Sequence, residues 1–174
     1  QFRLSPEGDL QLTPVRAIVP EKFSHLGDEV QFALPPGFEA RIFAADGLEG
    51  PRFMAWNADG VLHVANMKVD SPSQWSPATD RSSGQIVALP DRDQDGVADT
   101  LLVVADGFWW VHSLAFYQGE LYVADTDKVY RMRDGDGDGF YEEREIFVDD
   151  LPSFESSRGG GHVTKTIVFD AANE

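Results

Sequence analysis

An all-β fold is what this sequence predicts, and three observations predict it. Apolar residues come in runs of three to six between turns rich in Asp, Gly and Asn. No stretch carries the periodicity of an amphipathic helix of useful length. The runs also recur at constant spacing, together with the turns between them. With 174 residues, 42% apolar and 25% charged, the chain is long enough for one domain with a hydrophobic core and too apolar for general disorder.

In chain order, residues 1–36 scatter Pro6, Pro14, Pro20, Pro35 and Pro36 without sustained periodicity, which reads as an extended arm leading into Gly37. From residue 37 to 174 the strand pattern takes over. It predicts strands at Glu39–Ala44, Val61–Ala65, Gln85–Leu89, Leu101–Val104, Leu114–Phe116, Leu121–Ala124, Lys128–Met132, Glu145–Val148 and Thr166–Phe169.

Asp91, Asp93, Asp95, Gly96 and Asp99 recur as Asp134, Asp136, Asp138, Gly139 and Glu142, a constant offset of 43. Upstream, Ala55-Trp56 with Gly60-Val61-Leu62-His63-Val64-Ala65-Asn66 resembles Ala115-Phe116 with Gly119-Glu120-Leu121-Tyr122-Val123-Ala124-Asp125, at an offset of 59 from the glycine onward. The 16 residues that separate the two offsets fall between Met67 and Ser83, a Ser/Pro/Asp-rich loop insertion. A third copy starts at Ile167. Four-stranded units of this period are the signature of a β-propeller, so the chain reads as two blades plus the start of a third. Propellers have about 4–8 blades. The expectation is therefore the N-terminal part of a larger ring.

Thirty acidic against 14 basic side chains give a formal charge of −16, which argues against nucleic acid or anionic membrane as partner. No apolar run is long enough for a membrane span, and the absence of cysteine removes disulfides, thiolate metal sites and thiol nucleophiles.

The second acidic loop, Asp134-Gly-Asp136-Gly-Asp138-Gly139 with Glu145, fits the D-x-D-x-D-G-x5-E spacing in which alternate oxygens wrap calcium and glycine permits the sharp turn. Asp91, Asp93, Asp95 and Asp99 form a shorter version, because Leu102 stands where the last carboxylate would be. An Asp-Gly hairpin turn needs one aspartate, whereas carboxylates ~5 Å apart repel by about 3 kcal/mol at an effective dielectric near 20. Calcium acting as a structural staple is the expectation for both loops.

The innermost strand of each propeller blade lines the central channel. Aligning the copies on Trp56, Phe116 and Phe169 puts Arg52, His112 and Lys165 at one equivalent position, a cluster suited to an anionic ligand. His162 follows Gly159-Gly160-Gly161, where the backbone can pass close to a ligand and a neutral imidazole can act as base. Trp109 and Trp110 read as surface platforms if the protein only binds carbohydrate or another protein.

Three segments carry a resemblance: Pro35-Pro36-Gly37-Phe38-Glu39-Ala40, Val111-His112-Ser113-Leu114-Ala115-Phe116 with Leu121-Tyr122-Val123-Ala124, and Gly161-His162-Val163-Thr164-Lys165-Thr166-Ile167-Val168-Phe169. Over residues 35–174 the chain resembles the N-terminal half of the glucose/sorbosone dehydrogenases. The resemblance implies a six-bladed propeller using pyrroloquinoline quinone (PQQ), a sugar or aldehyde substrate, a cytochrome or quinone electron acceptor, and a periplasmic or extracellular location. It implies that His162 is the general base and that Arg52, His112 and Lys165 are candidates for holding the quinone, with lysine where the family commonly has arginine. It also implies that the remaining quinone ligands and the catalytic calcium belong to later blades, so that the two acidic loops are separate sites. The alternatives are a non-catalytic, calcium-stabilised propeller and a hydrolytic propeller such as a lactonase. The visible inner strands lack the carboxylates a lactonase metal would need.

Overall fold

The computed structural model describes residues 11–68, 82–153 and 164–170. The chain divides into two compact units, residues 1–45 with 94–97 and residues 46–93 with 98–174.

In the first unit, β1 (Thr13–Arg16) pairs antiparallel with β2 (Gln31–Leu34), Thr13 opposite Leu34 and Arg16 opposite Gln31. A short 3-10 segment, Glu21–Leu26, joins them and stops at Gly27, whose φ of 73° is one that side-chain-bearing residues avoid. The proline-rich stretch read as an arm thus contains a paired ribbon. The proposed strand Glu39–Ala44 is reduced to one bridge, Ile18 with Arg41.

The second unit holds two four-stranded antiparallel meanders. Blade 1 is β3 (Pro51–Trp56), β4 (Leu62–Asn66), β5 (Gly84–Leu89) and β6 (Leu102–Phe108), paired in that order. Blade 2 is β7 (Ser113–Tyr117), β8 (Glu120–Ala124), β9 (Val129–Arg133) and β10 (Glu143–Val148). Gln118 and Gly119 turn β7 into β8 with φ of 50° and 82°, the left-handed pair that matches hairpin twist. The all-β, partial-propeller architecture read from the repeats is the observed one. The third copy differs, since residues 164–170 form no strand.

The alternation of side chains across each sheet decides which residues meet. On blade 1, Ala55, His63 and Ala88 lie opposite one another and share a face with Ala65 and Ile86. On blade 2, Phe116, Leu121 and Met132 align in the same way, alongside Leu114 and Val123. These two faces close on each other into one core that also takes in Phe108, Trp109, Trp110 and Val111. His63 and Phe116 meet edge-to-face, 4.8 Å between centroids. Blade 2 turns its other face, through Tyr122, Ala124 and Val129, toward Ile167 and Phe169. Trp109 and Trp110, at 8% and 5% exposure, are core residues and not the surface platforms the sequence suggested. The backbone leading into β7 turns both rings inward.

Candidate functional site

The second acidic loop joins β9 to β10. Asp134 accepts the Gly137 N–H on Oδ1 at 2.6 Å and the Gly139 N–H on Oδ2 at 2.9 Å. Asp136 accepts from Asp138 N–H at 3.2 Å, and Asp138 from Phe140 N–H at 2.8 Å. One carboxylate oxygen from each aspartate falls within 4.8 Å of the others. Each carboxylate has further lone pairs beyond those its N–H partners use, so the loop retains oxygen ligand capacity. Glu145, the twelfth-position candidate, points elsewhere: it pairs with Arg131 directly across the β9–β10 ladder. The acid beside the loop is Glu142, which accepts the Gly135 N–H at 2.9 Å.

The first loop follows the same bonding pattern. Asp99 accepts the Arg92 N–H at 3.0 Å, the counterpart of Glu142 with Gly135. Asp95 accepts the Val97 N–H at 2.8 Å, the counterpart of Asp138 with Phe140. Asp91 and Asp93 bring carboxylate oxygens within 4.8 Å of each other. Asp95 belongs to the first unit, while Asp91, Asp93 and Asp99 belong to the second.

At the starts of the inner strands, Arg52 is exposed on β3, next to Phe53, whose ring lies 5.2 Å from that of His112. His112 directs Nδ1 at the Lys165 carbonyl, 3.0 Å away, so Nδ1–H donates to it. The Lys165 ammonium donates to the Thr126 carbonyl at 3.1 Å, using one of its three N–H groups. Burial pushes the Lys165 pKa down, partly offset by the Asp127 carboxylate. Asp127 is itself engaged by Lys128, at 2.7 Å, which also reaches Asp149 at 3.2 Å. His112 and Lys165 are therefore brought together. His162 lies outside the described residues.

Sequence reasoning missed Asp125. Buried at 7% exposure, its carboxylate accepts the N–H groups of Trp109, Trp110 and Thr126 at 2.8 to 3.1 Å. This fixes the turn that delivers β7 and His112. Asn66 does the same for blade 1, accepting from Glu49 N–H at 2.8 Å and donating to the Gly47 carbonyl at 3.0 Å. The signal was in the repeat: Asn66 and Asp125 are equivalent polar residues closing two apolar strands.

Residues 28–163 match a protein-family model described as Domain of unknown function (DUF7133). No curated protein matches. Among solved structures, the chain is similar to the holo form of the PQQ domain of pyranose dehydrogenase from Coprinopsis cinerea, at 16% identity and a TM-score of 0.58, over 86% of this chain and 31% of that one. It is also similar to the calcium structure of the Trichoderma reesei carbohydrate-active enzymes family AA12, at 18% identity and a TM-score of 0.54. The iodide structure of the same Trichoderma reesei family gives 17% and 0.55, and both cover 75% of this chain and 29% of theirs. The chain thus spans about three tenths of the length of these structures, and the likeness establishes the fold. Among the described residues no helix is long and apolar enough to cross a membrane.

Proposed function

The chain belongs to the family described as Domain of unknown function (DUF7133), and from that premise we propose that it supplies the first blades of a closed propeller ring acting as a quinone-dependent dehydrogenase on a sugar or related hydroxyl or aldehyde substrate. The observation that carries this reading is that His112, just before β7, and Lys165 are brought together, in a fold shared with a PQQ domain. Lys165 is three residues from His162 in sequence.

The residues present fit an anionic cofactor such as PQQ. The Lys165 ammonium has two N–H groups beyond the one given to Thr126, and its lowered pKa means that a nearby anion would favour the charged form. Arg52 adds an exposed guanidinium, and His112 fixes the Lys165 backbone. When bound, PQQ would supply the acceptor for the two electrons that leave the substrate. His162 is the chain's own candidate for holding the proton that departs from the substrate hydroxyl. The acidic loops, through Asp91, Asp93 and Asp99 and through Asp134, Asp136 and Asp138, are proposed to bind calcium as a staple between outer strands. The same reading puts the protein in the periplasm or outside the cell, with a cytochrome or quinone taking the electrons onward. Cell fractionation checks the location, and an exclusively cytoplasmic protein would contradict it.

The test is titration of the whole protein with PQQ by calorimetry, followed by dye-linked turnover on sugars. His162→Ala is expected to lower turnover by ~10²–10⁴ with PQQ affinity nearly unchanged. Lys165→Ala is expected to weaken PQQ binding. Absence of PQQ binding by the calcium-loaded whole protein overturns the reading.

A further inference from the structure

One contact occurs twice in the second unit. Phe116, from the inner strand of blade 2, meets His63 on the second strand of blade 1 edge-to-face, with centroids 4.8 Å apart and planes at 74°. Phe169, its counterpart in the third copy, meets Tyr122 on the second strand of blade 2 at 4.7 Å and 64°. His63 and Tyr122 are themselves equivalent in the repeat. Each of the two later copies thus seats one aromatic ring on a ring of the copy before it.

Trp56 is the first member of this series. It stands on β3 where Phe116 stands on β7, and Met54 stands where Leu114 does. Leu114 is 3% exposed because it is pressed into the blade 1–blade 2 core. Met54 and Trp56 are 63% and 60% exposed. Strand alternation explains why: Ala55 faces blade 2, so its neighbours on either side point away from it. Two large apolar side chains side by side in water, on the face that every later copy buries, mark an interaction surface.

We propose that the Met54–Trp56 face of β3 docks a further four-stranded blade built on this same repeat, one whose second strand presents a ring at the position held by His63 and Tyr122. The partner face is defined by the two interfaces already formed: small residues such as Ala55, Ala65 and Ala88 surround the ring and leave room for a side chain from the next inner strand. The proposal rests on the closed-ring reading above and is independent of the cofactor.

The chain has no cysteine, so Met54→Cys introduces one addressable thiol into this segment. In the whole protein its maleimide labelling, read on the Met54 peptide by mass spectrometry, is expected to be at least about tenfold slower than that of Asp59→Cys, on the exposed turn after β3. The protection should not depend on protein concentration. Equal labelling rates overturn the proposal. So does protection that disappears on dilution, which would make a second copy the occupant. As a second measurement, Trp56→Asp should lower the melting temperature of the whole protein while Trp56→Phe restores most of it, and an unchanged melting temperature in Trp56→Asp overturns the proposal too. A failed PQQ titration leaves these outcomes untouched.

Discussion

At the scale of single residues, two buried polar groups do unusual work. Asp125 takes N–H bonds from three residues in two connections, Trp109 and Trp110 between β6 and β7 and Thr126 between β8 and β9, and removing it takes away the acceptor those buried donors share. Asp125→Ala is expected to destabilise by about 3 kcal/mol or more, and Asp125→Asn, which keeps one acceptor oxygen, by about half of that. Urea unfolding with both variants checks this. His63, at 3% exposure, donates from Nδ1 to the Val61 carbonyl, and burial holds its pKa below the ordinary histidine value. The unfolded chain therefore binds the proton more readily, and stability falls as pH drops through about 6.5 and below. His63→Phe should flatten that part of the stability profile between about pH 7 and 5, measured as melting temperature against pH. A slope identical to that of the wild type would show that His63 is not its source.

At the scale of elements, what could be read from the sequence followed the strength of the repeat. β4, β5, β8 and β9 lie within a residue or so of their expected bounds, because each apolar run is bounded on at least one side by Asp or Gly turn residues, such as Asp59-Gly60, Asp91, Gly119 and Asp134. β1 and β2 were hidden by the surrounding prolines and by exposed, weakly alternating side chains. Thr166–Phe169 carries a strand-like run, yet strand structure needs a paired neighbour, and its described contacts are side-chain contacts and single bonds such as Ile167 N–H to Ser113 Oγ. In the candidate site, Arg52, His112 and Lys165 were selected by register, and the structure brings His112 and Lys165 together, whereas Glu145 was chosen by loop spacing alone and its pairing with Arg131 is a property of the ladder. One element-level constraint is steric. A Cβ built on Gly84 would sit 2.9 Å from the Phe108 carbonyl oxygen and 3.2 Å from Val111 Cγ1, where β5 and β6 change register. Gly84→Ala is expected to destabilise by about 1–3 kcal/mol. Thermal melting of the variant decides it, and no change would mean that the bulge relaxes freely.

At the scale of the whole molecule, part of the charge of −16 is gathered in the two aspartate loops. Cation binding that is confined to the folded state stabilises by mass action, about 2.7 kcal/mol at a hundredfold excess over Kd. Calcium is therefore expected to raise the melting temperature, EDTA to reverse the gain, and Asp136→Ala to lose most of the response. Equal calcium heats from wild type and Asp136→Ala in calorimetry would count against the second loop. The tryptophan pair has an optical consequence. Trp109 and Trp110 are held 5.9 Å apart, with planes at 50°, inside the core that joins the two blades. Two indoles at that separation and tilt are expected to act as coupled oscillators, with a circular dichroism couplet that is lost once the turn held by Asp125 and the core around it come apart. The chain consequently carries an intrinsic gauge of blade-to-blade contact, able to separate the parting of the blades from the melting of their strands without any added label.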